Sequence, residues 1–251
     1  MEKIAIVGGT FDPIHWGHVQ IADAALKQEA LDLAIWVPDP TPPQKAKRGG
    51  VEIEHRREMV RRAIAPYPQF LLAPPLGDRQ QTSYAIATFT ALQQLYPHNQ
   101  WYWTIGADAF QHLPKWYKSD QLAAACHWVV APRPQSSSTE TLVNSPHSAS
   151  LDYQKGATPD LSTLGMVPNN PSQNFILAQT HMICDRVARQ FAQRNLNLRY
   201  SILQSNPIAV SSTVIRRNWG TCSRIRNWVP EPVRTYISMH KLYDNPFQSC
   251  P

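Results

Sequence analysis

Two histidines, His15 and His18, follow a pair of glycines, Gly8 and Gly9, near the start of the chain. An imidazolium can donate hydrogen bonds to phosphate oxygens on which negative charge grows. A glycine lets a phosphate come close to main-chain N–H groups. Between the two pairs runs Thr10-Phe11-Asp12-Pro13-Ile14, which contains an Asp-Pro turn. A single loop histidine is usually a hydrogen-bonded structural residue. Two of them at a strand-to-helix junction behind glycines favour contact with phosphate instead.

Such a junction needs a strand before it and a helix after it. The apolar run Ile4 to Val7 reads as a buried strand, and Val19, Ile21, Ala22, Ala25 and Leu26 recur at helical spacing. Further strands are expected at Leu33 to Val37, Phe70 to Leu72, Trp101 to Ile105, Trp128 to Ala131 and Tyr200 to Leu203. Helices are expected at Glu52 to Ala65, at Ser83 to Leu95 with Ser83 as its N-cap, and at Gln121 to Ala125. Another runs through Ile183, Val187 and Phe191, and two more open at Ser211 and at about Glu231. Alternating strands and helices with short connections imply an α/β fold: a Rossmann-like parallel sheet with helices on both faces, followed by C-terminal helices. From about residue 134 to 174 the pattern stops, and Ser136-Ser137-Ser138-Thr139 with scattered prolines reads as a low-complexity loop insert. With no repeat and no second boundary, residues 1–251 are expected to form one domain.

Composition narrows the class of partner. The chain is 43% hydrophobic and 17% charged, and no apolar run approaches the roughly 18 residues of a membrane span. No signal-peptide core stands at the N-terminus, so a cytoplasmic protein without membrane contact is expected. The net charge of +6 suits polyanionic partners; without a basic tail, small phosphorylated substrates are favoured over nucleic acid. Cys126, Cys184, Cys222 and Cys250 form no C-x-x-C pair and assemble no zinc site.

The stretch from Gly8 to His18 resembles the opening signature of bacterial nicotinate mononucleotide adenylyltransferases, members of the H-x-G-H nucleotidyltransferase superfamily. Val210-Ser211-Ser212-Thr213-Val214-Ile215-Arg216 is similar to the second signature of that superfamily. Ile105 to Asp108, Trp116-Tyr117 and Val229 to Ile237 resemble the family's internal and C-terminal motifs. The resemblance implies adenylyl transfer from ATP to nicotinate mononucleotide, with magnesium accompanying the ATP. It implies that His15, His18 and Arg216 are catalytic, His18 at the α-phosphate and Arg216 at the β- or γ-phosphate. Gly8, Gly9, Thr10, Lys45, Ser212 and Thr213 would bind ATP and its phosphates. Asp108, Trp116, Tyr117, Tyr84 and Ala85 would hold the mononucleotide, with Asp108 on ribose hydroxyls and Trp116 against the pyridine ring. No protein metal ligands are implied, and a homo-oligomer is possible. Two departures stand out: Gln44 replaces a family histidine, and Ala85 replaces a threonine that frames the pyridine carboxylate. Transfer to nicotinamide mononucleotide, or nucleotide sensing without catalysis, are the alternatives.

Overall fold

The computed structural model describes residues 1–39, 50–76, 84–133, 171–204, 210–220 and 227–243. Six strands form one sheet: β1 (Lys3–Gly9), β2 (Leu33–Pro38), β3 (Phe70–Leu72), β4 (Gln100–Gly106), β5 (Cys126–Ala131) and β6 (Tyr200–Ile202). Their order is β3-β2-β1-β4-β5-β6, and every pairing is parallel. Between β1 and β4 the strand order reverses. At such a switch point the connections diverge to opposite faces and leave a crevice beyond the carboxyl ends of the strands. Gly8 and Gly9 end β1, and Gly106 ends β4. Both strands therefore deliver glycines to the same crevice.

The helices are α1 (Trp16–Glu29), α2 (Ile53–Ile64), α3 (Ala85–Leu95), α4 (Ala107–Phe110), α5 (Ser119–Ala125), α6 (Pro171–Ala192), α7 (Ser212–Arg217) and α8 (Glu231–His240). Both faces of the sheet are covered, so the central stretches Ile4 to Val7 and Ala34 to Val37 are continuously apolar instead of alternating with polar residues. Ala5, Val7, Ala34 and Trp36 pack with residues of α1, α2, α7 and α8. Ile4, Ile6, Ile35 and Val37 pack on the other side with α3, α5 and α6. That period of two along β1 and β2 fixes which residues face which layer.

Most boundaries shift by one or two residues from the sequence expectation, and three differences bear on the site or the insert. Helix α3 begins at Ala85 with Tyr84 as its N-cap, one turn-opening step later than a Ser83 cap would give, and Ser83 itself lies outside the described residues. Helix α6 starts at Pro171, so the expected insert does not extend to 174. Proline is well placed at a helix start, where its missing N–H has no intrahelical partner to lose. The rest of the insert, 134–170, lies outside the described residues, as does Lys45. The short α4, which carries Asp108, had no periodic signal because it is four residues long. Among the described residues no helix is long and apolar enough to cross a membrane.

Candidate active site

A cleft of about 710 Å³ opens at the switch point. The β1–α1 turn lines it with Gly8, Gly9, Thr10, His15 and His18, and Ser211, Ser212 and Thr213 line it beside that turn. Tyr84, Ala85, Asp108, Trp116 and Tyr117 line its remaining part. Residues from both ends of the chain thus meet at one crevice.

His15 is the N-cap of α1, and its main-chain N–H donates to His18 Nδ1 at 3.2 Å. An Nδ1 that accepts leaves the ring proton on Nε2 in the neutral form. The two imidazoles stack, with centroids 3.6 Å apart and planes inclined by 22°. Burial holds the His15 pKa well below the usual histidine value, helped by the charges of His18 and Arg133. Two imidazoles stacked this closely repel each other when both are cationic, which favours the neutral form of His15. With Nδ1 accepting, His18 is left to donate through Nε2–H. Phe11 stands behind His18, edge-on at 5.1 Å, and is itself 2% exposed. A Cβ on Gly9 would lie 2.9 Å from Phe11 Cε1, which explains why that position is glycine.

The second phosphate motif is anchored to the first. Ser211, the N-cap of α7, accepts from the Val214 N–H at 3.3 Å. Ser212 Oγ donates to the Pro13 carbonyl at 2.9 Å, tying α7 to the β1–α1 turn. Arg216 is not among the cleft-lining residues; its guanidinium donates to the Asp12 carbonyl and, at 3.4 Å, to the hydroxyl of Thr213, which does line the cleft. An arginine one turn into so short a helix meets the turn that the helix packs on before it meets the cleft.

Asp108 lies within α4, just beyond β4, and pairs with Arg133 Nη1 at 3.0 Å. A Cβ on Gly106 would collide with Asp108 Oδ1, so glycine there keeps the carboxylate seated at the strand end. Trp116 packs edge-on against Trp103 at 6.3 Å and Trp128 at 6.1 Å while still lining the cleft. Core packing and a ligand-facing surface are both true of this residue. Tyr84 and Tyr117 meet at 4.8 Å and are largely exposed.

Among the polar lining residues, Asp39, Thr88, Thr104, Lys115 and Arg133 escaped the sequence reading. Arg133 was legible in principle, since it follows β5 at the carboxyl edge where ligands of open α/β sheets bind. Thr88 sits one helical turn after Ala85, a spacing that places both on one face.

Residues 6–218 match the cytidylyltransferase-like family. A probable nicotinate-nucleotide adenylyltransferase of Trichormus variabilis is 36% identical over 243 residues, covering 97% of this chain and 98% of that one. The nicotinate-nucleotide adenylyltransferase of Bacillus subtilis is 40% identical over 134 residues, covering 53% of this chain and 71% of that one. Among solved structures, Plasmodium falciparum nicotinic acid mononucleotide adenylyltransferase complexed with NaAD is similar in fold. Its TM-score is 0.62 at 16% identity, covering 97% of this chain and 98% of that one.

Proposed function

Since the chain belongs to the cytidylyltransferase-like family, among its nicotinate-nucleotide adenylyltransferases, we propose that it transfers an adenylyl group from ATP to nicotinate mononucleotide. The products are deamido-NAD, made for NAD biosynthesis, and pyrophosphate. The observation that carries this reading is the meeting of the two phosphate motifs at one cleft that is also lined by Tyr84, Trp103, Trp116 and Tyr117.

In the reaction an oxygen of the mononucleotide phosphate attacks the α-phosphorus of ATP in line. The bond from that phosphorus to the β-phosphate bridging oxygen breaks, and pyrophosphate leaves with the electron pair. No protein nucleophile is required, so the residues act by holding and by stabilising charge. His18 Nε2–H is the donor to a non-bridging α-phosphate oxygen, and the glycine turn with Thr10 cradles the phosphates. Ser212 and Thr213 extend that cradle from the adjoining start of α7. Arg216 braces the turn through the Asp12 carbonyl and, beside Thr213, is the residue for the β- or γ-phosphate. In the mononucleotide site Asp108 accepts from ribose hydroxyls, which frees Arg133 for the acceptor phosphate. Trp116 offers a ring face to the pyridine.

Among the described residues no three His, Cys, Asp or Glu side chains converge to hold a metal ion. Magnesium characteristically keeps its waters and binds through substrate phosphates, which suits this donor set. It would ride on the triphosphate and neutralise charge there.

The test is pyrophosphate release from ATP with each mononucleotide in turn. The expected result is turnover with a higher kcat/KM for nicotinate mononucleotide. A clear nicotinamide preference would replace the acceptor, and no release with either at any magnesium level would remove the enzyme reading.

A further inference from the structure

Behind the β1–α1 turn lies a set of polar groups that, Arg216 apart, the adenylyl-transfer chemistry does not use. Asp12 is 2% exposed and does not line the cleft. The Tyr243 hydroxyl, just beyond α8, donates to Asp12 Oδ1 at 2.7 Å. Arg216 Nη1 lies 3.6 Å from Asp12 Oδ2. Arg56 of α2 is also buried, at 3% exposed. Its Nη1 donates to the Thr10 carbonyl at 2.8 Å and to the Asp39 carbonyl at 2.7 Å. Its Nε donates to the Val51 carbonyl at 2.9 Å. One guanidinium thereby joins the phosphate turn, the chain just past β2 and the residues before α2.

We propose that Tyr243 and Arg56 are positioning residues, which hold the Thr10–Pro13 turn from behind and so set where His15 and His18 stand. The claim rests on the adenylyl-transfer reading of the cleft and adds to it a dependence on the last described residues of the chain. Asp12 precedes His15 by three residues, so a shift of its carboxylate moves the start of α1. Burial, with the Asp12 charge and hydrogen bond, raises the Tyr243 pKa and keeps its hydroxyl a donor at every working pH. Only a guanidinium has the planar fork to reach three carbonyls at once; an ammonium is a compact point charge. Misplacing reacting groups by about 1 Å can cost about 10²-fold in rate even when the change lies far from the chemistry.

Tyr243→Phe removes one hydroxyl and leaves the ring beside Trp219. Its kcat should fall about tenfold or more, with KM for both substrates within about twofold. Arg56→Lys should behave alike; if it does not fold, Tyr243→Phe decides. Tyr200→Phe is the control, because Tyr200 donates to Asp185 away from the cleft; its kcat should not change. An unchanged kcat in folded Tyr243→Phe, with only Tm lowered, would show a purely structural role and overturn the proposal. Nitrogen NMR of His18 separates this claim from the reading beneath it. Even if wild-type protein released no pyrophosphate, Tyr243→Phe should move the His18 Nδ1 resonance, and an unmoved resonance would overturn the positioning role.

Discussion

At the scale of single residues, the site depends on where one proton sits. His18 Nδ1 is committed to the His15 main-chain N–H, so the useful donor is Nε2–H and needs no protonation of the ring. His18→Ala should lower kcat about 10²- to 10³-fold, the usual cost of removing a donor at a charge-bearing transition state. His18→Gln places an amide N–H near the position of Nε2 and should recover part of that loss without a titrating group. Pyrophosphate release by the two variants checks this, and near-normal turnover in His18→Ala would show that His18 is misassigned. Acceptor choice belongs to another residue. Ala85 has no side-chain hydrogen bond to give, but Thr88 lines the same cleft one turn along α3. If its hydroxyl serves the pyridine carboxylate, Thr88→Val should lower kcat/KM for nicotinate mononucleotide about fivefold, the worth of one ordinary hydrogen bond. The nicotinamide value should hardly change, and equal losses on both substrates would assign Thr88 a general packing role. The residues legible beforehand were those whose chemistry shows in their type: His15, His18, Asp108 and Trp116. The hydrogen bond of Arg216 to the Asp12 carbonyl was not legible, because side-chain identity says nothing about a main-chain partner.

At the scale of elements, a chain of close contacts runs from Gly9 through Phe11 to His18. Phe11 adopts a φ of 50°, unusual for a residue with a Cβ, and its ring is pressed between the Gly9 backbone and the His18 edge. Gly9→Ala would put a methyl 2.9 Å from that ring, closer than carbon atoms pack. The ring must shift toward His18, so kcat should drop about tenfold or more while ATP still binds. Phe11→Leu in the Gly9→Ala background should regain activity, and a double variant no better than the single one would exclude the ring as intermediary. The strands themselves were legible because short apolar runs bounded by turns have few other readings. Helix ends were not. Helix α6 starts earlier than its apolar stripe suggested, since its first turns carry Ser172, Gln173 and Asn174 before Leu177 and the buried Thr180 reach the core. A polar first turn gives no periodicity to read.

At the scale of the whole molecule, strand order and the docking of α7 decide that the two ends of the chain meet, and burial then sets how that meeting responds to acid. Order could not be read from strand sequences alone, because parallel strands buried on both faces look alike. The adjacency of β1 and β4 brings the Gly8–Gly9 turn beside Gly106 and Asp108, and the hydrogen bond from Ser212 to the Pro13 carbonyl brings the 211–213 segment to the same crevice. That central position also buries titratable groups. Burial lowers the pKa of His15, reinforced by His18 and Arg133, and lowers that of His127, which Glu29 partly offsets. In the unfolded chain both histidines titrate near 6.5. Below that value the unfolded state binds protons that the folded state refuses, so stability falls as pH drops through 6.5 and is unaffected well above it. Carboxylate pairs do not blur this window. Glu58 is held at about 2 by its hydrogen bonds to Arg61 and Arg62 and stays ionised down to much lower pH. Tm should therefore decrease between pH 7.5 and 5.5, and in His15→Gln that decrease should be smaller, whatever the variant's absolute Tm. Thermal unfolding at the two pH values tests this: an equal decrease in wild type and variant would mean that the buried cap of α1 is not the acid-sensitive element.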